Sequence, residues 1–269
     1  MTTLILIRHG ETSWNAIKRI QGFTDIPLNE VGLRQADDLG ERFARLAGTD
    51  ATSSARVAAS SSDASRETSV EALLIDPLVA HLAQADGVAS LEARPITAVY
   101  TSDLIRAQQT TAPLAKALGL TPTIDANVRE RDYGAFEGMS PEEIEVRYPD
   151  DYARWQTRDP EFRPGPGESQ RMFHERVVSA LHAIAAKHPG ERIVVVAHGG
   201  VLDNARRHAQ SLPLQQKRDY LLLNASINVF AWERTGARLI HWGDVAHLHA
   251  DDAAQDDTHA ERVPDTRIL

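Results

Sequence analysis

Leu4-Ile5-Leu6-Ile7-Arg8-His9-Gly10-Glu11-Thr12 decides the fold. The run opens with four apolar residues, two of them β-branched, the composition of a short strand buried on both faces. It stops at an arginine, a histidine and a glycine. In an open α/β sheet that carboxyl edge is where ligands bind, because it gathers polar groups into one crevice. A cation, a nucleophile and a flexible backbone point arrive there together. Taken alone, the same residues also read as a strand end that happens to be polar.

The pattern returns late in the chain. Ile193-Val194-Val195-Val196-Ala197 is the most apolar strand, and it ends at His198-Gly199-Gly200 before another helix. Two such strand ends can bring both histidines into one crevice. Between them, Ile96–Tyr100 reads as a second strand, followed by a helix carrying Leu104, Ala107, Thr111, Leu114 and Leu118 and stopped by Gly119. Arg106 lies at that helix's amino end, where free N–H groups and a planar guanidinium suit phosphate oxygens. Its alternative is an exposed pair with Asp103. Thr123–Val128 reads as an edge strand, and Tyr220–Leu223, Ile227–Trp232 and Ala237–Trp242 as the remaining strands. Helices are predicted after Asn29 (Val31, Leu33, Ala36, Leu39, Phe43, Leu46), over Pro141–Trp155 with a break at Pro149, and from Ser169 to Lys187.

The bulk properties exclude several classes. The 269 residues are 42% hydrophobic, enough for a sizeable core. Net charge is −9, from 29 basic and 38 acidic residues, which argues against a nucleic-acid or anionic-membrane partner. Cysteine is absent, so no thiol nucleophile, disulfide or thiolate metal site exists. The apolar runs are too short for a signal core or a membrane span, and a cytoplasmic protein is expected. Serine, alanine and threonine crowd residues 48–70, and an amphipathic pattern with Leu73, Leu74, Leu78, Leu82 and Ala85 follows despite Pro77. Residues 48–95 therefore read as an insertion, either a tolerated surface loop, a lid or a partner surface. The acidic tail, 249–269, reads as disordered. His241, His247 and His249 lack the spacing of a metal set, and no metal is expected.

Arg8-His9-Gly10-Glu11-Thr12, followed by Trp14-Asn15, resembles the opening of the histidine phosphatase superfamily, the group of phosphoglycerate mutases and related phosphomonoesterases. Ser102–Thr110 is similar to that superfamily's second motif. The resemblance spans residues 2–47 and 96–248. It implies a phosphoglycerate mutase-like three-layer αβα sandwich with a mostly parallel central sheet, one domain over residues 1–248. It also implies a phosphohistidine at His9, with Arg8, Arg106 and His198 around the phosphoryl group. Glu130, ahead of a Tyr-Gly-x-x-Glu-Gly turn, becomes the proton donor and acceptor, although Arg129 and Arg131 beside it would lower its pKa. Asn15, Gln21 and Gly22 would reach the substrate phosphate, and Gly199 joins the substrate-binding set.

His9, with an ordinary pKa near 6.5, would be kept neutral and nucleophilic by the cations. Fixed positive charge would take a metal's role, so no cofactor is expected. The partner is a small phosphorylated substrate, and a homodimer is carried on the resemblance alone. The mutases proper hold an Arg-Arg pair where this chain has Arg154-Trp155-Gln156-Thr157-Arg158, and their histidine after Glu-Arg is replaced here by Asp132, which would repel an acidic substrate. Both departures favour a phosphatase. A 2,3-bisphosphoglycerate-dependent mutase, with an arginine such as Arg94 compensating, is the alternative; a non-catalytic phospholigand-binding module is the second.

Overall fold

The computed structural model describes residues 1–57, 76–86, 94–249 and 252, with 49–57 as backbone alone. The strands are β1 (Thr2–Arg8), β2 (Ile96–Thr101), β3 (Thr123–Ile124), β4 (Arg192–Ala197), β5 (Ile227–Glu233) and β6 (Gly236–Asp244). They form one sheet in the order β3-β2-β4-β1-β5-β6. β1, β2, β3 and β4 run parallel, while β5 and β6 extend the sheet antiparallel beyond β1. The helices are α1 (Ser13–Ala16), α2 (Glu30–Val57), α3 (Pro77–Asp86), α4 (Ile105–Leu118), α5 (Pro141–Arg147), α6 (Pro149–Gln156), α7 (Gln170–Lys187) and α8 (Gly199–Gln210).

Successive strand side chains point to opposite faces, and here each face has its own core. Leu4 and Leu6 join Ile193, Val195, Phe230 and Trp232 under α7 and α8. Ile5 and Ile7 join Val194, Val196, Ile227 and Val229 under α2, α3 and α4. Leu4 to Ile7 are all 0% exposed, each burial stabilising by about 1.5–3 kcal/mol. The expected three-layer αβα sandwich is the observed one. A third, smaller cluster of Phe136, Ile144 and Phe162, with Tyr133 and Trp155 packed on it, stands over the carboxyl edge.

Several local expectations are corrected. Tyr220–Leu223 is a bend and loop, not a strand, and its carbonyls are taken by side chains: Leu222 O accepts from Arg8 and Leu221 O from Trp242 Nε1. β3 is shorter than predicted and turns into a 3₁₀ helix at Ala126–Val128, where Asp125 accepts from the Asn127 N–H. Leu33 is 46% exposed rather than part of the α2 core. α2 continues to Val57, beyond the compositional change at 48. The amphipathic stretch begins at Pro77, with Asp76 accepting the Leu78 N–H at 2.9 Å and Leu78, Leu82 and Ala85 buried. Leu73, Leu74 and most of the low-complexity segment lie outside the described residues. Asp252, placed by the sequence in a disordered tail, is fastened to α2, its carbonyl accepting from Gln35 Nε2 at 2.8 Å and its carboxylate from Arg34 at 3.0 Å. The rest of the tail, apart from His249, lies outside the described residues.

Candidate active site

Strand register builds the floor of the cleft. β1 and β4 pair with Arg8 opposite Ala197, so the next residue on each strand, His9 and His198, emerges beside the other. Their ring centroids are 5.2 Å apart. The His9 N–H donates to the Ala197 carbonyl at 2.9 Å, and Asn224 Nδ2 donates to the His9 carbonyl at 2.9 Å. His9 Nδ1 lies 2.7 Å from the Gly10 carbonyl. A carbonyl can only accept, so Nδ1 carries the proton and Nε2 keeps its lone pair. Burial, reinforced by Arg106 and Arg8, holds the His9 pKa well below its ordinary value. Burial, then Arg106, His9 and Arg8, does the same to His198. Among the described residues neither ring nitrogen of His198 has a hydrogen-bond partner.

Arg106 is 0% exposed and is the second residue of α4. Its Nη1 donates to Thr24 O at 2.9 Å and Nη2 to Gly22 O at 2.8 Å, while Nε has no partner. Burial pulls its pKa to about 10, which leaves it charged at neutral pH. Asp103 pairs instead with Arg129. Asp25 from the same loop as Thr24 accepts the Ile105 N–H at 2.6 Å, so the loop caps α4. Glu137 clamps the loop by accepting the Phe23 and Thr24 N–H groups at 2.8 and 3.0 Å. Gly22, at φ +55°, leaves room for that clamp, since a Cβ would stand 2.0 Å from Glu137 Oε1. Asn15 Oδ1 is spent on a capping box with the Thr12 N–H (2.9 Å) and hydroxyl (2.8 Å).

Glu130 reaches the amino end of α8. Its Oε2 accepts the Gly200 N–H at 3.0 Å and its Oε1 the Arg131 N–H at 2.8 Å. Only glycine fits at 200, where a Cβ would lie 2.2 Å from Glu130 Oε1 and 2.7 Å from the Phe173 ring. Burial raises the Glu130 pKa and outweighs these two N–H groups and the cations Arg106 and Arg8. The neighbouring arginines do not depress it as the sequence predicts, because they turn elsewhere. Arg129 goes to Asp103, and Arg131 to the carbonyls of Phe162 and Glu168 at 3.1 and 3.0 Å.

Arg8, His9, Asn15, Gln21, Gly22, Arg106, Glu130 and Gly199 line one cleft of about 130 Å³, with His198 buried against His9. The same cleft is lined by residues for which sequence reasoning assigned no role: Gly200, Gln170, Asn204, Arg218, Tyr133 and Trp155. Gly200 had a signal in the doubled glycine after His198 and Tyr133 in the Tyr-Gly-x-x-Glu-Gly turn; Gln170, Asn204, Arg218 and Trp155 belong to no local motif. Two expectations about charge are corrected. Asp132, expected to face the substrate, is absent from the cleft lining, and its carboxylate accepts the Gly134 N–H at 2.8 Å. Arg94 precedes the amino end of β2, opposite the cleft, and donates to Gly190 O at 3.2 Å.

The model of the histidine phosphatase superfamily, branch 1, matches residues 4–72 and 81–245. The chain belongs to this superfamily. Relatives of this histidine phosphatase include the metal-independent phosphoserine phosphatase of Arabidopsis thaliana, 33% identical over 92% of this chain and 84% of the relative. Another is the probable phosphoglycerate mutase GpmB of Cronobacter sakazakii, 29% identical over 93% and 96%. Among solved structures, Bacillus stearothermophilus YhfR superposes with a TM-score of 0.67 at 26% identity, covering 93% of this chain and 100% of that one. Among the described residues of the histidine phosphatase, no group of three or more His, Cys, Asp or Glu is arranged to hold a metal ion, and no helix is long and apolar enough to cross a membrane.

Proposed function

We propose that this histidine phosphatase is a metal-independent phosphomonoester hydrolase acting on a small phosphorylated metabolite of the cytoplasm. The observation that carries the reading is the His9 tautomer. With Nδ1–H held by the Gly10 carbonyl, the neutral ring presents Nε2 for attack without a general base. His9 Nε2 bonds to phosphorus as the ester P–O bond breaks, and Glu130, its pKa raised by burial, gives its proton to the departing oxygen. Arg8 and Arg106 offer cations to the phosphoryl oxygens, and Arg106 Nε and the His198 ring add unpartnered polar atoms, the charge stabilisation that dominates phosphoryl transfer. Water then attacks the phosphohistidine and loses its proton to Glu130. The N–P bond breaks, and both groups return to their starting state. Asn15, Gln21, Gly22 and Gly199 complete the substrate wall. Metal independence is also supported by the name of the Arabidopsis relative.

A mutase reading is favoured by the relatives named probable phosphoglycerate mutase, and would need 2,3-bisphosphoglycerate to charge His9. The test incubates the protein in chelator with 3-phosphoglycerate, with and without the bisphosphate, following inorganic phosphate and 2-phosphoglycerate together. Phosphate release, with p-nitrophenyl phosphate also hydrolysed, is the expected result. Isomer formation that depends on the bisphosphate would establish the mutase instead.

A further inference from the structure

The turn from Tyr133 to Gly138 carries a carboxylate, Glu137, that the proposed reaction leaves unused. Glu137 does not line the cleft; it stands behind the loop that holds Arg106. Its Oε1 accepts the N–H groups of Phe23 at 2.8 Å and Tyr133 at 3.1 Å. Its Oε2 accepts the Thr24 N–H at 3.0 Å and the Thr24 hydroxyl at 2.7 Å. On the other side of the same loop, Arg106 donates to the carbonyls of Gly22 and Thr24. The absence of a Cβ at Gly22 is what lets the carboxylate come this close.

Gly22 O and the Phe23 N–H belong to one peptide group, and in a trans peptide the two point in opposite directions. That group therefore stands between an anion on its N–H and a cation on its carbonyl. Both bonds are charge-assisted, and each polarises the peptide in the sense that strengthens the other. Among the described residues no carboxylate bonds Arg106 directly, and its Nε has no partner. Burial pulls the Arg106 pKa down, and the charges of Glu130, Asp25 and Glu137 oppose that pull. A carboxylate bonded to the guanidinium itself would occupy donors that phosphoryl oxygens need. Placed one peptide away, it fixes the guanidinium and leaves Nε open.

We infer that Glu137 is a positioning residue for phosphoryl transfer, acting through the Gly22–Phe23 peptide to hold the Arg106 guanidinium on the phosphoryl oxygens. The inference rests on the phosphatase reading, in which Arg106 meets the phosphoryl group. The turn is also docked by backbone bonds that bypass the carboxylate: the Gly138 N–H donates to Ile20 O at 2.8 Å and the Ile20 N–H to Met139 O at 3.0 Å. The loop therefore stays beside the turn when this side chain is changed.

Glu137→Gln tests the role, because an amide carries no charge and turns its own N–H donors toward those of the loop. The substrate is p-nitrophenyl phosphate, whose leaving group departs without a proton, so that Glu130 drops out of the comparison. The glutamine variant should lose at least about tenfold, in kcat rather than KM. Glu137→Asp, which keeps the charge one methylene further back, should restore part of it. The deciding measurement is the double-mutant cycle with Arg106→Ala. In that background Glu137→Gln should lower kcat/KM by no more than about twofold further. The same loss in both backgrounds overturns the inference, as does a Glu137→Gln enzyme with wild-type kcat. If the glutamine variant lacks a cooperative melt, Glu137→Ala takes its place in the cycle and is read by the same limits. Absence of hydrolysis by the wild type would defeat the phosphatase reading instead. The cycle would then be read in the affinity for orthovanadate, measured by calorimetry, with losses that multiply overturning the role of Glu137.

Discussion

Two buried arginines, Arg42 and Arg106, sit on the same side of the sheet and do opposite things. Arg42, on α2, bonds Asp76 at 2.9 and 2.7 Å and Asp244 at 2.9 and 2.8 Å. Two carboxylates thus match it on both edges, tying α2 to the start of α3 and the end of β6. Among the described residues Arg106 bonds two backbone carbonyls and keeps Nε without a partner, beside a histidine with two unpartnered nitrogens. Buried polar groups are costly when unmatched. A completed network is a fastener; an incomplete one, at the carboxyl edge of a sheet, is a place where a ligand's oxygens complete the count.

The sharpest way to break this comparison is at His9. His9→Ala should lower turnover by at least about four orders of magnitude and leave no acid-labile phosphohistidine to trap after brief exposure to substrate. A variant that still turned over through a different labelled residue would remove the phosphohistidine from the floor.

Arg106→Ala comes next, with an expected loss of about 10²–10³ in kcat and a cooperative melt retained. Arg42→Ala should do the reverse. Two buried or half-buried carboxylates lose their cation, so stability should fall by about 3–5 kcal/mol and the Tm by on the order of 10 °C, with kcat preserved below the transition. If Arg42→Ala lost turnover and Arg106→Ala lost the fold, the distinction would be wrong.

The pH dependence sharpens it further. In the proposed mechanism turnover needs neutral His9, whose pKa is depressed, and protonated Glu130, whose pKa is raised. Activity should therefore persist below pH 6.5 and decline as pH rises through the Glu130 pKa. Glu130→Gln should cost far more with an alkyl phosphate than with p-nitrophenyl phosphate, whose leaving group departs without a proton. The smallest effect concerns stability. His9, His198 and His247, the last lowered to about 4, bind protons less readily folded than unfolded. Stability should then be fully present above about pH 6.5 and diminish as pH falls below it, measurable as a falling Tm.

Much of the floor could be read in the sequence because it rests on strands. Burial on both faces makes Leu4–Ile7 and Ile193–Ala197 continuous apolar runs, and the polar residue that ends each run announces the edge. Arg106 was legible as a helix start, although its partners, the Gly22 and Thr24 carbonyls, were not. The opposite wall was hidden. Arg218 has no motif around it, and Tyr220–Leu223 reads as a strand although the side chains of Arg218, Trp242 and Arg8 take the carbonyls of Tyr220, Leu221 and Leu222. Glu130 showed the limit of reading neighbours: its adjacent arginines face away, and its pKa is set by burial against α8. Asp132 misled for the same reason.

The pairing of Arg8 with Ala197 has a last consequence. Chemistry at the floor is set by counting residues along two strands, so a deletion is a harsher change there than most substitutions. Removing any one of Val194, Val195 or Val196 leaves an apolar run that can still pair with β1. Yet it draws His198 back by one step and turns it to the opposite face of the sheet. Such a chain would keep its hydrophobic composition and lose the second imidazole from the cleft. Length in these strands is therefore under the same constraint as the identity of the side chains proposed to carry the reaction.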